Sequence, residues 1–148
     1  MIVWAARWPQ RYLASPVETY LDEFMTAIAR LGAVSLDSSD PVGLAGFYRQ
    51  LLDLEVFFES EDFVALKGAG ILITTQRVKD HRAPSWPDGP APKQLHLELA
   101  VSDLEEAEAQ ALAMGATKSD TQPNPDHWRV LLDPAGHPFC ITTLIPEV

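Results

Sequence analysis

A chain of 148 residues, 47% apolar and 22% charged, has room for one domain or a pair of small half-domains around a true core. Its formal charge of −10 opposes sequence-independent nucleic-acid binding and anionic membrane surfaces, both of which need clustered Lys and Arg. The single cysteine, Cys140, excludes an internal disulfide and any zinc ribbon.

Residues 1–8 are apolar for six positions and then meet Arg7, without the basic start and long apolar run of a signal peptide. No apolar stretch approaches the roughly 20 residues that span a bilayer, and the expected location is the cytoplasm. Ser15, Pro16 and Glu18 form a helix start. Val17, Tyr20, Leu21, Phe24, Met25, Ile28 and Leu31 then recur at helical spacing, predicting an amphipathic helix over 16–31 that ends at Gly32.

Residues 33–37 read as a strand with Val34 and Leu36 on one face. Asp40 and Pro41 open a second helix, with Leu44, Phe47, Tyr48, Leu51 and Leu52 as its stripe. Strands are expected at 54–59, 63–67 and 71–78, with Gly68-Ala69-Gly70 as the last turn. The segment 83–92 carries Pro84, Pro87, Pro90 and Pro92, so it is a loop, and Arg77, Lys79, Arg82 and Lys93 make its surroundings locally basic. Residues 95–101 read as a strand. Asp103 caps a helix, with Glu106 expected to complete a capping box and Leu104, Ala107, Ala111 and Leu112 to face the core. Strands at 116–120, 127–132 and 138–144 follow, the last after the turn Asp133-Pro134-Ala135-Gly136.

The two halves repeat. At an offset of 63 positions, Val34 falls on Leu97, Leu36 on Leu99, Ser39 on Ser102 and Asp40 on Asp103. Gly70 matches Gly136 at an offset of 66. The expected fold is α+β: two tandem βαβββ modules forming a curved, mixed eight-stranded sheet, with helices outside, a concave cleft inside and an extra N-terminal helix. The expected divisions are an extension over 1–31, a first module over 32–82, the proline-rich loop over 83–92 and a second module over 93–148.

With its duplicated βαβββ order, the stretch "SDLEEAEAQALAMGAT", the terminal "LLDPAGHPFCITT" and the passage "ITTQRV…PSWPDGPAPKQLHLEL", residues 32–145 resemble the vicinal oxygen chelate superfamily. That superfamily includes glyoxalase I, extradiol dioxygenases, epimerases, fosfomycin-modifying enzymes and bleomycin-binding proteins; the resemblance is greatest to its glyoxalase-like domains. Its metal-dependent members place His or Glu ligands on the first and last strands of each module. Carried across, those positions hold Ala33 and Thr74 in the first module, with Gln76 two residues further on, and His96 and Cys140 in the second. Ala33 has no donor, and a cysteine stands where the resemblance implies glutamate. The expectation is therefore no cofactor and no stoichiometric Zn, Fe, Ni or Mn, with a divalent metal on Gln76, His96 and Cys140 as the alternative.

Period-2 alternation puts Ser35, Asp37, Gln76, His96 and Glu98 on the open face of the sheet, opposite the leucines of 95–99. Thr74 and Cys140 join them as candidate ligand contacts, and Trp86 in the proline-rich loop can lid the cleft. The catalytic residue is not identified; the best candidate is His96, whose imidazole suits a general base. Glu98 lies too far along the strand to be a sure partner for it. His127 and His137 are expected at the surface, His81 in the basic loop, and Trp128 packed in the sheet.

Three functions fit these residues. The first is a small-molecule binder working without the metal. The second is a metal-dependent lyase, isomerase or dioxygenase with an atypical site. The third is a non-catalytic dimerisation module. The polar open face favours the first, and a homodimer is the expected assembly.

Overall fold

The computed structural model describes residues 28–68 and 70–146. The chain divides into two compact units, Met1–Leu31 and Gly32–Val148. Most of the helix expected over 16–31 lies outside the described residues; its last positions, 28–31, are described and are not helical.

The second unit runs β1 (Ala33–Ser38), α1 (Pro41–Leu51), β2 (Glu55–Ser60), β3 (Phe63–Lys67), β4 (Leu72–Arg77), β5 (Leu97–Ala100), α2 (Leu104–Ala113), β6 (Thr117–Lys118), β7 (Trp128–Leu132) and β8 (Pro138–Thr142). The strands form two four-stranded sheets, ordered β1-β4-β3-β2 and β5-β8-β7-β6. The βαβββ duplication thus appears as two separate hydrogen-bonded sheets rather than one continuous ladder of eight strands. In each, the first strand runs parallel to the last and the other pairs are antiparallel.

Both helices start as their sequences dictate. The carboxylate of Asp40 accepts from the Gly43 N–H at 3.1 Å, and that of Asp103 accepts from the Glu106 N–H at 2.9 Å, satisfying donors that no helical carbonyl reaches. At residue 43 a β-carbon would overlap the Asp40 carboxylate, so glycine leaves room for the cap. The capping box at α2 is only half formed: the Glu106 carboxylate accepts from the Gln110 side chain rather than reaching back.

One apolar core joins the modules. Leu36, Leu44, Phe47, Tyr48, Leu66 and Ile73 of the first pack with Ala111, Leu131, Phe139 and Ile141 of the second. The Phe47 ring lies 5.9 Å from that of Phe139. At the same seam, the fully buried Tyr48 hydroxyl donates to the Asp133 carboxylate at 2.8 Å. The other oxygen of Asp133 accepts from the backbone N–H groups of Ala135 and His137, so one buried carboxylate builds the turn before β8 and anchors α1. Burial and the adjacent Asp133 charge hold the Tyr48 phenol far above its ordinary range, as a permanent donor.

Three leucines of the two modules are exposed against expectation. Leu95 is 67% exposed because β5 starts at Leu97. The residue that would oppose His96 across the parallel ladder is Pro138, which has no N–H to give. Leu112 sits one position past the buried Ala111 and turns outward, and Leu144 lies beyond the end of β8, exposed. Leu97 and Leu99 remain packed against the core.

Candidate functional site

The parallel ladders of the two modules are in the same register. In the first, β1 and β4 pair Val34 with Ile73, Ser35 with Thr74, Leu36 with Thr75 and Asp37 with Gln76. In the second, β5 and β8 pair Leu97 with Phe139, Glu98 with Cys140 and Leu99 with Ile141. Shifting the first set by 63 and 66 positions gives the second. Alternation along β1 and β5 therefore sends Leu36, Leu97 and Leu99 to the core and Ser35, Asp37 and Glu98 to the opposite face.

On that face the first module is internally paired. The Gln76 amide donates to the Asp37 carboxylate at 2.7 Å. Thr74 is buried, with its hydroxyl 3.5 Å from the Val34 carbonyl it faces as donor. Ser35 is exposed. His137, expected at the surface, is half-buried instead, and its Nε2 lies 2.6 Å from the Asp37 backbone carbonyl. Such a contact requires Nε2 to carry the proton. The ring of His81 stands 5.3 Å from that of His137, with its own Nε2 3.0 Å from the Ala135 carbonyl. His127 is exposed, as its place before β7 suggests, and Trp128 is half-buried within β7.

The second module gathers its reactive groups. His96 Nε2 lies 2.7 Å from Glu98 Oε1, with side chains 28% and 48% exposed. The pairing that the spacing along the strand left open is therefore made. Residues two apart on one strand face are separated by roughly 6–7 Å at Cα, a gap that two long side chains leaning together close. Cys140 stands opposite Glu98 in the ladder, and His96, Glu98 and Cys140 place their ligand atoms within 4.8 Å of one another. Burial, reinforced by the Glu98 charge, pushes the Cys140 thiol up to about 11, against a smaller downward pull from Lys93. At neutral pH the thiol is protonated and is no ready nucleophile.

The proline-rich loop folds back onto the second module. The Trp86 indole N–H donates to the Thr121 carbonyl at 3.3 Å, and the Lys93 ammonium sits 4.6 Å from the centre of the Trp86 ring. The loop closes on itself where Ser85 N–H donates to the Ala91 carbonyl at 2.6 Å. Gly89, at φ +153°, faces Ser85 so closely that a side chain there would collide with it. Trp86 is half-buried, with part of its surface left open.

These positions decide whether the chain fits an ion shared between modules. Ala33 offers nothing, and the Thr74 hydroxyl is turned to a backbone carbonyl. The first module therefore does not fit such a site. The second, with an imidazole, a carboxylate and a thiol together, holds every donor of the only His, Cys, Asp and Glu cluster of ligating geometry among the described residues. Of the expected set Gln76, His96 and Cys140, the last two come together with Glu98, while Gln76 is engaged by Asp37.

A model of the family described as "Glyoxalase-like domain" matches residues 33–142. No curated protein matches the sequence significantly. Among solved structures, a glyoxalase/bleomycin resistance protein/dioxygenase family enzyme from Burkholderia phytofirmans PsJN is 21% identical, with a TM-score of 0.60, covering 79% of this chain and 100% of that one. A mutant of the genomically encoded fosfomycin resistance protein FosX from Listeria monocytogenes, in complex with Mn(II) and 1S,2S-dihydroxypropylphosphonic acid, is 15% identical, with a TM-score of 0.63 over 80% and 95% of the two chains. Lactoylglutathione lyase from Agrobacterium tumefaciens is 19% identical, with a TM-score of 0.53 over 76% and 92%. At such identities the likeness is one of fold.

Proposed function

The chain belongs to the glyoxalase-like domain family of the vicinal oxygen chelate superfamily, and from that premise we propose that it binds a small organic molecule on the open faces of its two sheets without an ion shared between the modules. The observation that carries this reading is the contrast on those faces. The first module has no free metal-ligand side chain at Ala33 or Thr74, yet polar side chains stand at Asp37, Gln76, His96 and Glu98, already paired by hydrogen bonds as Gln76–Asp37 and His96–Glu98. A sheet face that only kept out of the core would not need such pairing. Sites for small molecules combine a few placed polar groups with apolar walls, and the half-buried Trp86 supplies the wall.

In this reading His96 is the principal polar contact. Its Nε2 is held by Glu98, which fixes the ring, leaving Nδ1 to meet a ligand. Gln76 and Asp37 contribute from the first module, with Ser35 beside them. The buried Cys140 suits a reducing compartment, and we assign the protein to the cytoplasm; no helix among the described residues is long and apolar enough to cross a membrane. A homodimer belongs to the same proposal. Sedimentation showing only a 16.3 kDa species at high concentration would overturn it.

The test is a thermal-shift screen of small organic molecules in the presence of a chelator. Hits should protect the protein, and His96→Ala should weaken them by about tenfold, or about 1.4 kcal/mol. An unchanged affinity in His96→Ala, with binding abolished in Trp86→Ala, would place recognition in the loop and defeat the choice of His96. A second reading, a metal-dependent lyase, isomerase or dioxygenase, is favoured by one observation, the convergence of His96, Glu98 and Cys140. A divalent ion there would act as a Lewis acid toward a substrate oxygen.

A further inference from the structure

We propose that His96, Glu98 and Cys140 form a cation site confined to the second module, selective for a thiophilic divalent ion of the zinc class. The superfamily arrangement draws its ligands from the first and last strands of both modules. Here the first module contributes none, and Glu98 makes up the number from a position two residues along β5. The expectation of no bound zinc rested on the missing donor at Ala33 and on Cys140 standing in place of a carboxylate, and it left out Glu98, whose carboxylate lies 2.7 Å from His96.

Three features argue for the site. The first is placement: the β5–β8 ladder sets Glu98 directly opposite Cys140, and His96 shares their face. The second is size. Zinc bonds of about 2.0–2.3 Å put the donors of a tetrahedral shell roughly 3.3–3.7 Å apart. A cluster whose ligand atoms lie within 4.8 Å of one another reaches that spacing once the 2.7 Å His96–Glu98 contact opens, and the widest separation closes, by about an ångström each. The third is chemistry. A thiol beside an imidazole and one carboxylate suits zinc, whereas Mn²⁺ and Mg²⁺ favour shells of oxygen. Binding replaces the thiol proton with a bond to the ion, releasing that proton to solvent, and turns His96 Nε2 from donor to ligand as the imidazole proton moves to Nδ1. Three protein donors are one short of a closed tetrahedral shell.

The charge balance allows it. Glu98 with a thiolate from Cys140 would neutralise a divalent ion, and the nearby Lys93 is placed over the Trp86 ring. The inference names the ion and the ligands of the site on which the second reading rests, and it is independent of the first, since a cation here neither requires nor excludes an organic ligand. Failure of the ligand screen, run with a chelator, leaves this site standing, and the converse also holds.

The test uses the full chain, stripped with a chelator and titrated with Co²⁺ as a spectroscopic stand-in, then with Zn²⁺ in competition. The expected result is one bound Co²⁺ with the near-ultraviolet charge-transfer band of a thiolate–cobalt bond, displaced by Zn²⁺. Cys140→Ser, which preserves volume and a hydrogen-bonding group, should remove the band. Cys140→Ser, His96→Ala and Glu98→Gln should each weaken Zn²⁺ by more than about tenfold, at least the loss that removal of an outer-shell partner causes. No spectral change with excess Co²⁺, binding without the thiolate band, or full affinity in Cys140→Ser or Glu98→Gln would overturn the proposal.

Discussion

The two modules share a register to the residue but have divided the labour. In the first, α1 buries Leu44, Ala45, Phe47 and Tyr48, and its sheet face carries Ala33, Ser35 and Thr74. In the second, α2 buries only Ala111, and the matching face carries His96, Glu98 and Cys140. Tyr48 and Ala111 occupy equivalent places in the repeat, and both are fully buried, yet one fills a large volume and the other almost none. Duplication explains how this is tolerated. Once both helices share one core, either can supply most of its bulk, and either sheet can keep the reactive groups.

That division predicts unequal consequences for equivalent substitutions. Phe47→Ala removes a buried ring that touches both Tyr48 and Phe139, and should cost about 3–5 kcal/mol. Gln110→Ala, at the matching place on the exposed side of α2, should change stability by less than about 0.5 kcal/mol. Urea denaturation measures both. Equal losses would show that α2 carries as much packing as α1 and would break the comparison.

A smaller effect is expected at the seam. Tyr48→Phe keeps the ring but leaves one oxygen of the buried Asp133 without its donor, at a cost of about 1–3 kcal/mol. Because Asp133 also holds the turn before β8, heteronuclear NMR should show shifts at Ala135 and His137 as well as around α1. Shifts confined to α1 would mean that the carboxylate anchors the turn independently of the tyrosine.

Acid sensitivity should trace in part to the second module. Hydrogen bonding and charge from Arg129 hold Glu105 below its ordinary range; at Glu108, partial burial opposes the shift but hydrogen bonds from Lys118 and Arg129 outweigh it. A carboxylate lowered on folding stabilises the fold above its unfolded value, and that contribution is lost as pH falls through the folded one. Arg129→Ala should therefore flatten the acid limb of the stability profile. An unchanged limb would locate the acid sensitivity elsewhere.

Most of the architecture was legible because local signals repeat: Asp-capped helices 63 positions apart, β-branched and leucine alternation, and glycine at two equivalent turns. Gly70 and Gly136 indeed both adopt positive φ, at 77° and 85°. What escaped depended on distant partners. The loss of Leu95 and His96 from β5 follows from Pro138 across the ladder, which no local pattern around Leu95 reveals. His137 reads as a turn residue until the first module's Asp37 carbonyl comes to meet it. At the site, period-2 alternation placed Ser35, Asp37, Gln76, His96 and Glu98 on one face. It could not say that Glu98 would lean back to His96, since that depends on rotamers rather than on register.

The least of the expected effects concerns Cys140, and it separates the two modules by pH alone. Its counterpart in the repeat, Thr74, cannot ionise in the working range, so any thiol titration belongs to the second module. Burial first, and the Glu98 charge second, raise the thiol from its ordinary value of 9.0 to about 11. A group raised on folding binds its proton more tightly in the native state than in the unfolded chain. The resulting stability is complete below the unfolded value and drains away as pH rises through the folded one. Chelator-treated protein should therefore lose stability between about pH 9 and about 11, and Cys140→Ser should lose less over the same window. The comparison between the two proteins cancels the lysine and tyrosine titrations that both share. Parallel profiles would mean that the native site meets the thiolate as readily as water does, and that burial does not hold the thiol protonated.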